Sequence, residues 1–260
     1  MQTANVYLVG AGPGDPELLT VKARRLLDEA EVVVYDRLVA PEIMALIAPG
    51  TARISVGKQP GNHPIPQEEI NRLLVALARS GRKVVRLKGG DPYTFGRGSE
   101  EAAVLAAEGI RFEVVPGITS ASGCAAAIGV PLTHRGLSSG LRYVTGNCRG
   151  DQELELDWRG LADPDTTLVL YMATAHICRI AVRLIAEGLP ESTPAAAIAN
   201  GTRPNQEVMI ATLGEIAEAA TAFEGPVLFL IGKVVGLADV LAVAGRRGRV
   251  AELALGAELA

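Results

Sequence analysis

The chain is expected to be an α/β protein, with two tandem α/β domains and a ligand cleft between them. Three observations predict this. Short β-rich runs alternate with helical patterns through the first half, a second set of strands follows a small-residue stretch, and many of the 29 glycines and 15 prolines directly follow short apolar runs. Glycine and proline in those places mark tight strand-to-helix turns. A length of 260 residues fits one large domain or two small ones, and 48% hydrophobic with 21% charged residues is an ordinary globular composition.

The elements follow in order. Strands are expected at residues 6–9, 32–35, 53–56, 84–87 and 112–115, and helices at about 17–30, 41–47, 67–79 and 99–108. That alternation implies parallel strands with crossover helices. Asp15 is placed to cap the first helix with Pro16 at its first position. The run Ser120-Ala121-Ser122-Gly123-Cys124-Ala125-Ala126-Ala127 forms a helix that allows close backbone approach. Further strands are expected at 141–145, 167–171, 195–198, 207–211 and 227–230. The boundaries are therefore 1–117 for an N-terminal domain, 118–136 for a connection, 137–245 for a C-terminal domain, and 246–260 for a solvated tail carrying Arg246-Arg247-Gly248-Arg249.

A net charge of −4 offers no global attraction to nucleic acid or an anionic membrane. No apolar run reaches bilayer-spanning length, and a cytoplasmic protein is expected. Cys124, Cys148 and Cys178 are expected to be buried free thiols rather than a disulfide framework. His63, His134 and His176 lack metal-ligand spacing, so no metal site is expected. No G-x-S-x-G elbow is present.

Chemistry is expected on the strand-end loops. Gly10-Ala11-Gly12-Pro13-Gly14-Asp15-Pro16 invites a dinucleotide reading, but Asp15 replaces the last glycine of that fingerprint and Pro13 removes an amide. At Tyr35-Asp36-Arg37-Leu38, Asp36 is either an acid facing a substrate or an ordinary helix cap, and Gly57-Lys58 brings a cation to the next strand end. Residues 87–98 hold four glycines, and Gly89-Gly90 let the chain pass close to a ligand. Asp91 accepts from a ribose hydroxyl or an ammonium group, or caps a turn with Pro92. Arg97 and Glu100 meet an anionic substrate or form a helix-end ion pair. Pro116-Gly117-Ile118-Thr119-Ser120, Pro131-Leu132-Thr133-His134-Arg135 and Tyr171-Met172-Ala173-Thr174 complete the set.

Taken together, Val9-Gly10-Ala11-Gly12-Pro13-Gly14-Asp15, Val34-Tyr35-Asp36-Arg37-Leu38-Val39, Val56-Gly57-Lys58, residues 87–98, Val115-Pro116-Gly117-Ile118-Thr119, Pro131-Leu132-Thr133-His134-Arg135 and Asn200-Gly201-Thr202 span nearly the whole chain. In this order they closely resemble the tetrapyrrole methylase family, within it the uroporphyrinogen-III C-methyltransferases that make precorrin-2 for sirohaem and cobalamin. The resemblance implies the tetrapyrrole methylase fold, a homodimer, and S-adenosylmethionine (SAM) bound in the interdomain cleft as a consumed methyl donor. By position it makes Pro13, Gly89, Gly90, Asp91, Thr94, Thr119, Ser120, Met172 and Gly201 SAM contacts. Asp36 and Lys58 match a proton acceptor and donor, and Arg37, Arg97, Glu100, His134 and Arg135 lie on the substrate side. Thr94 and Ser120 depart from residues that are often aliphatic or Ala in relatives, and Ala173 stands where Gly is common.

The implied substrate, uroporphyrinogen III, carries eight carboxylates, so a net-negative chain needs local cations. Arg37, Lys58, Arg97, His134, Arg135, Arg142 and Arg149 are the candidates. Asp36 is the expected base, with Arg97 as an alternative. Other functions left open are another precorrin methyltransferase, a methyltransferase acting on a modified histidine of a translation factor, a non-catalytic SAM-binding regulator, and a dinucleotide-dependent oxidoreductase.

Overall fold

The computed structural model describes residues 5–57, 65–147 and 154–241. Lys58, His63, Cys148, Arg149 and the expected tail lie outside the described residues. The chain divides into two compact units, Met1–Ser120 and Ala121–Ala260.

The first unit holds β1 (Val6–Gly10), α1 (Val21–Glu29), β2 (Val32–Tyr35), α2 (Pro41–Ala45), β3 (Ala52–Ser55), α3 (Gln67–Arg79), β4 (Val84–Lys88), α4 (Gly98–Ala107) and β5 (Phe112–Val115). All five strands are parallel, in the order β3-β2-β4-β1-β5. The inner strands are buried on both faces, which is why β1 and β2 read as nearly unbroken apolar runs. Tyr7, Val9, Val33, Val85 and Leu87 pack under α1 and α2, while Val6, Leu8, Val32, Val34 and Val84 pack under α3 and α4. In α3, Ile70, Leu74, Val75 and Ala78 make the buried stripe, with Glu68 and Glu69 in the first turn and Arg79 in the last, where each complements the helix dipole.

The helix expected over 17–30 is two elements. Asp15 caps a single 3-10 turn, Pro16–Leu18, accepting from Glu17 N. Leu19 is then extended, and Thr20 begins α1 afresh by accepting from Ala23 N. Two capping side chains five residues apart break what hydrophobic content alone would join.

The division falls at the first residue of α5 (Ser120–Ala127). β6 (Gly140–Thr145), α6 (Trp158–Leu161), β7 (Thr166–Tyr171), α7 (Ile177–Ala186), β8 (Pro194–Ala199), β9 (Glu207–Thr212), α8 (Ile216–Ala219), β10 (Val227–Ile231) and α9 (Ala238–Leu241) follow. Their sheet runs β6-β7-β10-β8-β9 and is mixed: among the described residues, β6 and β7 pair in parallel and the other neighbours antiparallel. The α/β class holds, but β8 and β9 are joined by a short turn without a crossover helix and therefore pair antiparallel. Leu168, Leu170 and Phe229 face α7, and Val169, Ile198 and Leu230 face Ala121, Cys124 and Ala125 of α5. Among the described residues no helix is long and apolar enough to cross a membrane.

Candidate functional site

Strand register sets the first unit's loops at one edge. Ser55, Tyr35, Leu87, Val9 and Val115 stand in one row across the sheet, so the residues after them emerge side by side. The chain reverses direction between β1 and β4: α1 and α2 cover one face, α3 and α4 the other. Such a switch point is where open α/β sheets bind ligands. Here the two glycine-rich loops diverge.

These loops are locked to each other. Gly12 N donates to Gly90 O at 3.1 Å, Gly90 N returns a bond to Gly12 O at 2.8 Å, and Ala11 N donates to Lys88 O at 2.7 Å. Those amides, the ones a pyrophosphate cradle needs, are engaged, and Pro13 has none to offer. A Cβ on Gly10 would fall 2.5 Å from Gly117 N and 2.7 Å from Gly90 O, so three backbones meet where no side chain fits. At Gly89 an added Cβ would meet Leu38 Cβ at 2.8 Å, so the absent side chain makes room for the neighbouring loop. Gly90 is different. It has φ +69°, and an added Cβ would find nothing nearer than Ser120 Oγ at 3.8 Å, so its outer face is open.

Asp91 braces the same edge. Its Oδ1 accepts from Tyr93 N (2.8 Å) and Thr94 Oγ1 (3.2 Å), and its Oδ2 accepts from Gly117 N (3.1 Å). It is a turn cap that also ties the β4 loop to the β5 loop, bringing Gly90, Asp91, Thr94 and Ser120 together. Pro13 is buried, whereas Thr119 and Ser120 are half-buried. At the next helix start Arg97 grips Glu100 through Nε (2.9 Å) and Nη2 (2.8 Å). Those bonds hold the Arg97 guanidinium above its ordinary pKa, so it stays a cation rather than serving as the alternative base.

Asp36, half-buried, sits beside a charge cluster that sequence reasoning missed. Arg86, Lys88 and Glu101 are each no more than 3% exposed. Arg86 Nη2 reaches Asp36 Oδ1 at 2.6 Å, and Arg86 Nε and Lys88 Nζ both reach Glu101 Oε1 at 3.0 Å. Burial pushes the Lys88 ammonium below the usual lysine pKa, Arg86 adds to that, and Asp36 and Glu101 oppose it. A signal was present: Arg86 and Lys88 stand two apart in a strand buried on both faces, so they share a face and require anionic partners. Arg37, on the same β2 loop as Asp36, is exposed.

In the second unit, His134 and Arg135 are exposed on a tight turn closed by the His134–Ser138 pairing. Met172 is 49% exposed with φ 54°. Gly201 is required by its neighbour, since a Cβ there would run into Cys124 Sγ. Burial pushes the Cys124 thiol up to about 12, making it inert packing, while Cys178 is exposed, contrary to the expected burial. Arg142 donates to Gly160 O at 2.5 Å. Among the described residues, the non-glycine residues with positive φ are Phe95, Arg97, Met172, Asn200 and Thr202. All lie in loops that the sequence singled out. Backbone strain of this kind costs about 1–3 kcal/mol each and concentrates at functional sites.

Comparison with known proteins follows the same outline. The family model described as Tetrapyrrole (Corrin/Porphyrin) Methylases matches residues 5–217. A uroporphyrinogen-III C-methyltransferase of Paracoccus denitrificans is 52% identical over 236 residues, 90% of this chain and 82% of its own. Siroheme synthase 3 of Aeromonas hydrophila is 52% identical over 94% of this chain and 52% of its own. The chain spans about half the length of such sirohaem synthases. The crystal structure of uroporphyrin-III C-methyltransferase from Thermus thermophilus complexed with S-adenyl homocysteine superposes with a TM-score of 0.77 and 46% identity, covering 90% of this chain and 100% of its own.

Proposed function

The chain belongs to the tetrapyrrole (corrin/porphyrin) methylases, and from that premise we propose that it methylates uroporphyrinogen III at C2 and C7 with SAM. The products are precorrin-2, by way of precorrin-1, and S-adenosylhomocysteine, for sirohaem or cobalamin synthesis. The observation that carries this reading is the likeness to the Thermus protein crystallised with the demethylated form of that donor. The open face of Gly90 beside Ser120 suits a ligand resting on backbone, and the closed amides of Ala11, Gly12 and Gly90 disfavour a dinucleotide.

In this reading Pro13, Gly89, Gly90, Asp91, Thr94, Thr119 and Ser120 of the first unit, with Met172 and Gly201 of the second, hold SAM. Bound there, SAM supplies a methyl group made electrophilic by its sulfonium, and the electron-rich pyrrole carbons are the nucleophiles. The chain's residues orient the partners, Asp36 receives the proton that leaves the methylated ring, and Lys58 is the proton donor. Arg37, Arg97, His134 and Arg135 face the substrate carboxylates, and Glu100 lies on the substrate side as the partner of Arg97. Arg97 takes a carboxylate by sharing or releasing Glu100, so Arg97→Ala and Arg135→Ala should weaken tetrapyrrole binding more than SAM binding. The working assembly in this proposal is a homodimer, testable by light scattering.

Incubation with uroporphyrinogen III and SAM, followed by mass spectrometry, should show two added methyl groups. Asp36→Asn should lower the rate by roughly a hundredfold or more. NAD binding without SAM binding in a calorimeter would overturn the reading, and unchanged methylation by Asp36→Asn would remove that residue from proton transfer.

A further inference from the structure

Four charged side chains meet inside the first unit: Asp36 after β2, Arg86 and Lys88 on β4, and Glu101 on α4. The neutral Gln67 amide of α3 also donates to Glu101 Oε1, at 3.3 Å. Two cations balance two carboxylates, which is the condition for burying any of them.

The geometry is asymmetric about Asp36. Arg86 cannot turn: Nε is on Glu101 Oε1, Nη2 is on Asp36 Oδ1, and Nη1 lies 3.3 Å from Leu87 O. Asp36 Oδ1 is therefore tied. Lys88 Nζ stands 3.8 Å from Asp36 Oδ2, beyond hydrogen-bond reach but close enough to act on it by charge. Among the described residues, Glu101 Oε2 is a buried side-chain oxygen with no hydrogen-bond partner. Such an atom is costly to bury, and packing alone supplies no reason to keep it.

We propose that Glu101, Arg86 and Lys88 are positioning residues that present Asp36 Oδ2 as the oxygen receiving the proton from the methylated macrocycle. This rests on the functional reading above. In the step, a C–H bond of the methylated macrocycle breaks, its electron pair enters the conjugated system, and the proton forms an O–H bond at Oδ2. Glu101 anchors both cations through one oxygen, so its effect on Asp36 passes through Arg86 and Lys88. Lys88 is buried, so little water screens its charge from Oδ2 across that 3.8 Å.

The test uses the purified full chain, with kcat and KM for uroporphyrinogen III measured across pH, S-adenosylhomocysteine affinity by calorimetry, and thermal unfolding. Lys88→Met should lower kcat at least about tenfold while KM and S-adenosylhomocysteine affinity stay within roughly threefold. With a cation removed from beside the base, activity should also be lost at a higher pH on the acidic side. Among the described residues the ionised groups facing Asp36 are Arg86, Lys88 and, one step removed, Glu101, so Glu101→Gln, which loosens both cations, should likewise lower kcat rather than raise KM. If Lys88→Met does not fold, Lys88→Met combined with Glu101→Gln keeps the cluster neutral and should still show the kcat loss. Folded variants with wild-type kcat and an unmoved pH profile would overturn the positioning role alone. A wild-type chain that binds S-adenosylhomocysteine yet leaves uroporphyrinogen III unmethylated would overturn the functional reading, and this proposal with it.

Discussion

The two units bring loops close at strand ends with different atoms. In the first, the close approaches are largely backbone to backbone: Gly10 against Gly117 and Gly90, and Gly57 with its missing Cβ 2.6 Å from Arg37 N. In the second they involve side chains, Gly201 against Cys124 Sγ and Gly146 against Ala173 Cβ at 2.6 Å. Buried polar groups differ likewise, with Arg86, Lys88 and Glu101 in the first unit and Ser138, Thr167 and Thr193 in the second. A backbone seam between strands held in register cannot yield without moving the sheet. A side-chain contact can be relieved by a second substitution. The first unit is thus built to hold geometry, and the second leaves room for compensation.

The largest test of that contrast is Glu101→Ala, which leaves Arg86 and Lys88 short of an anion and should cost about 3–5 kcal/mol by chemical denaturation. A loss no larger than that of a second-unit hydroxyl such as Thr167→Val would break the comparison. Gly117→Ala drives a Cβ into the Gly90 carbonyl and should cost roughly 3 kcal/mol, with no single neighbouring truncation restoring it. Gly201→Ala should cost about 2 kcal/mol, but adding Cys124→Ala should return at least about 1 kcal/mol of it. Additive losses would erase the distinction between backbone and side-chain contacts.

The smallest effect concerns pH. With its folded pKa raised to about 12, Cys124 contributes stability that is whole below its unfolded value of roughly 8.5 and is lost as pH rises through the folded one. The stability gap between wild type and Cys124→Ala should narrow from about pH 8 to 10, by at most about 1.4 kcal/mol per pH unit. A constant gap would place the thiol in water.

The ten strands of the described residues lie where residue pattern puts them, and the loops after β1, β2, β4 and β5 were legible from glycine, proline and terminal charges. Asp15 as a cap was legible too, because capping is local. The end of its turn at Leu19 was not, since Thr20 competes for the next helix start. The antiparallel pairing of β8, β9 and β10 stayed hidden because alternation within a strand carries no direction.

At the candidate site, glycine at position 89 announced a close approach without naming Leu38 as what approaches. Arg86 and Lys88 announced a buried demand for anions without naming Asp36 and Glu101, which lie 50 and 15 residues from Arg86. Sequence by itself determined where strands begin, where the chain turns and which residues carry charge, because those follow from free energies of a few adjacent residues. Only the tertiary structure decided which way strands pair, which backbone fills the space beside a glycine and which carboxylate meets a buried cation. Those depend on contacts between residues far apart in the chain, whose distances no local pattern records.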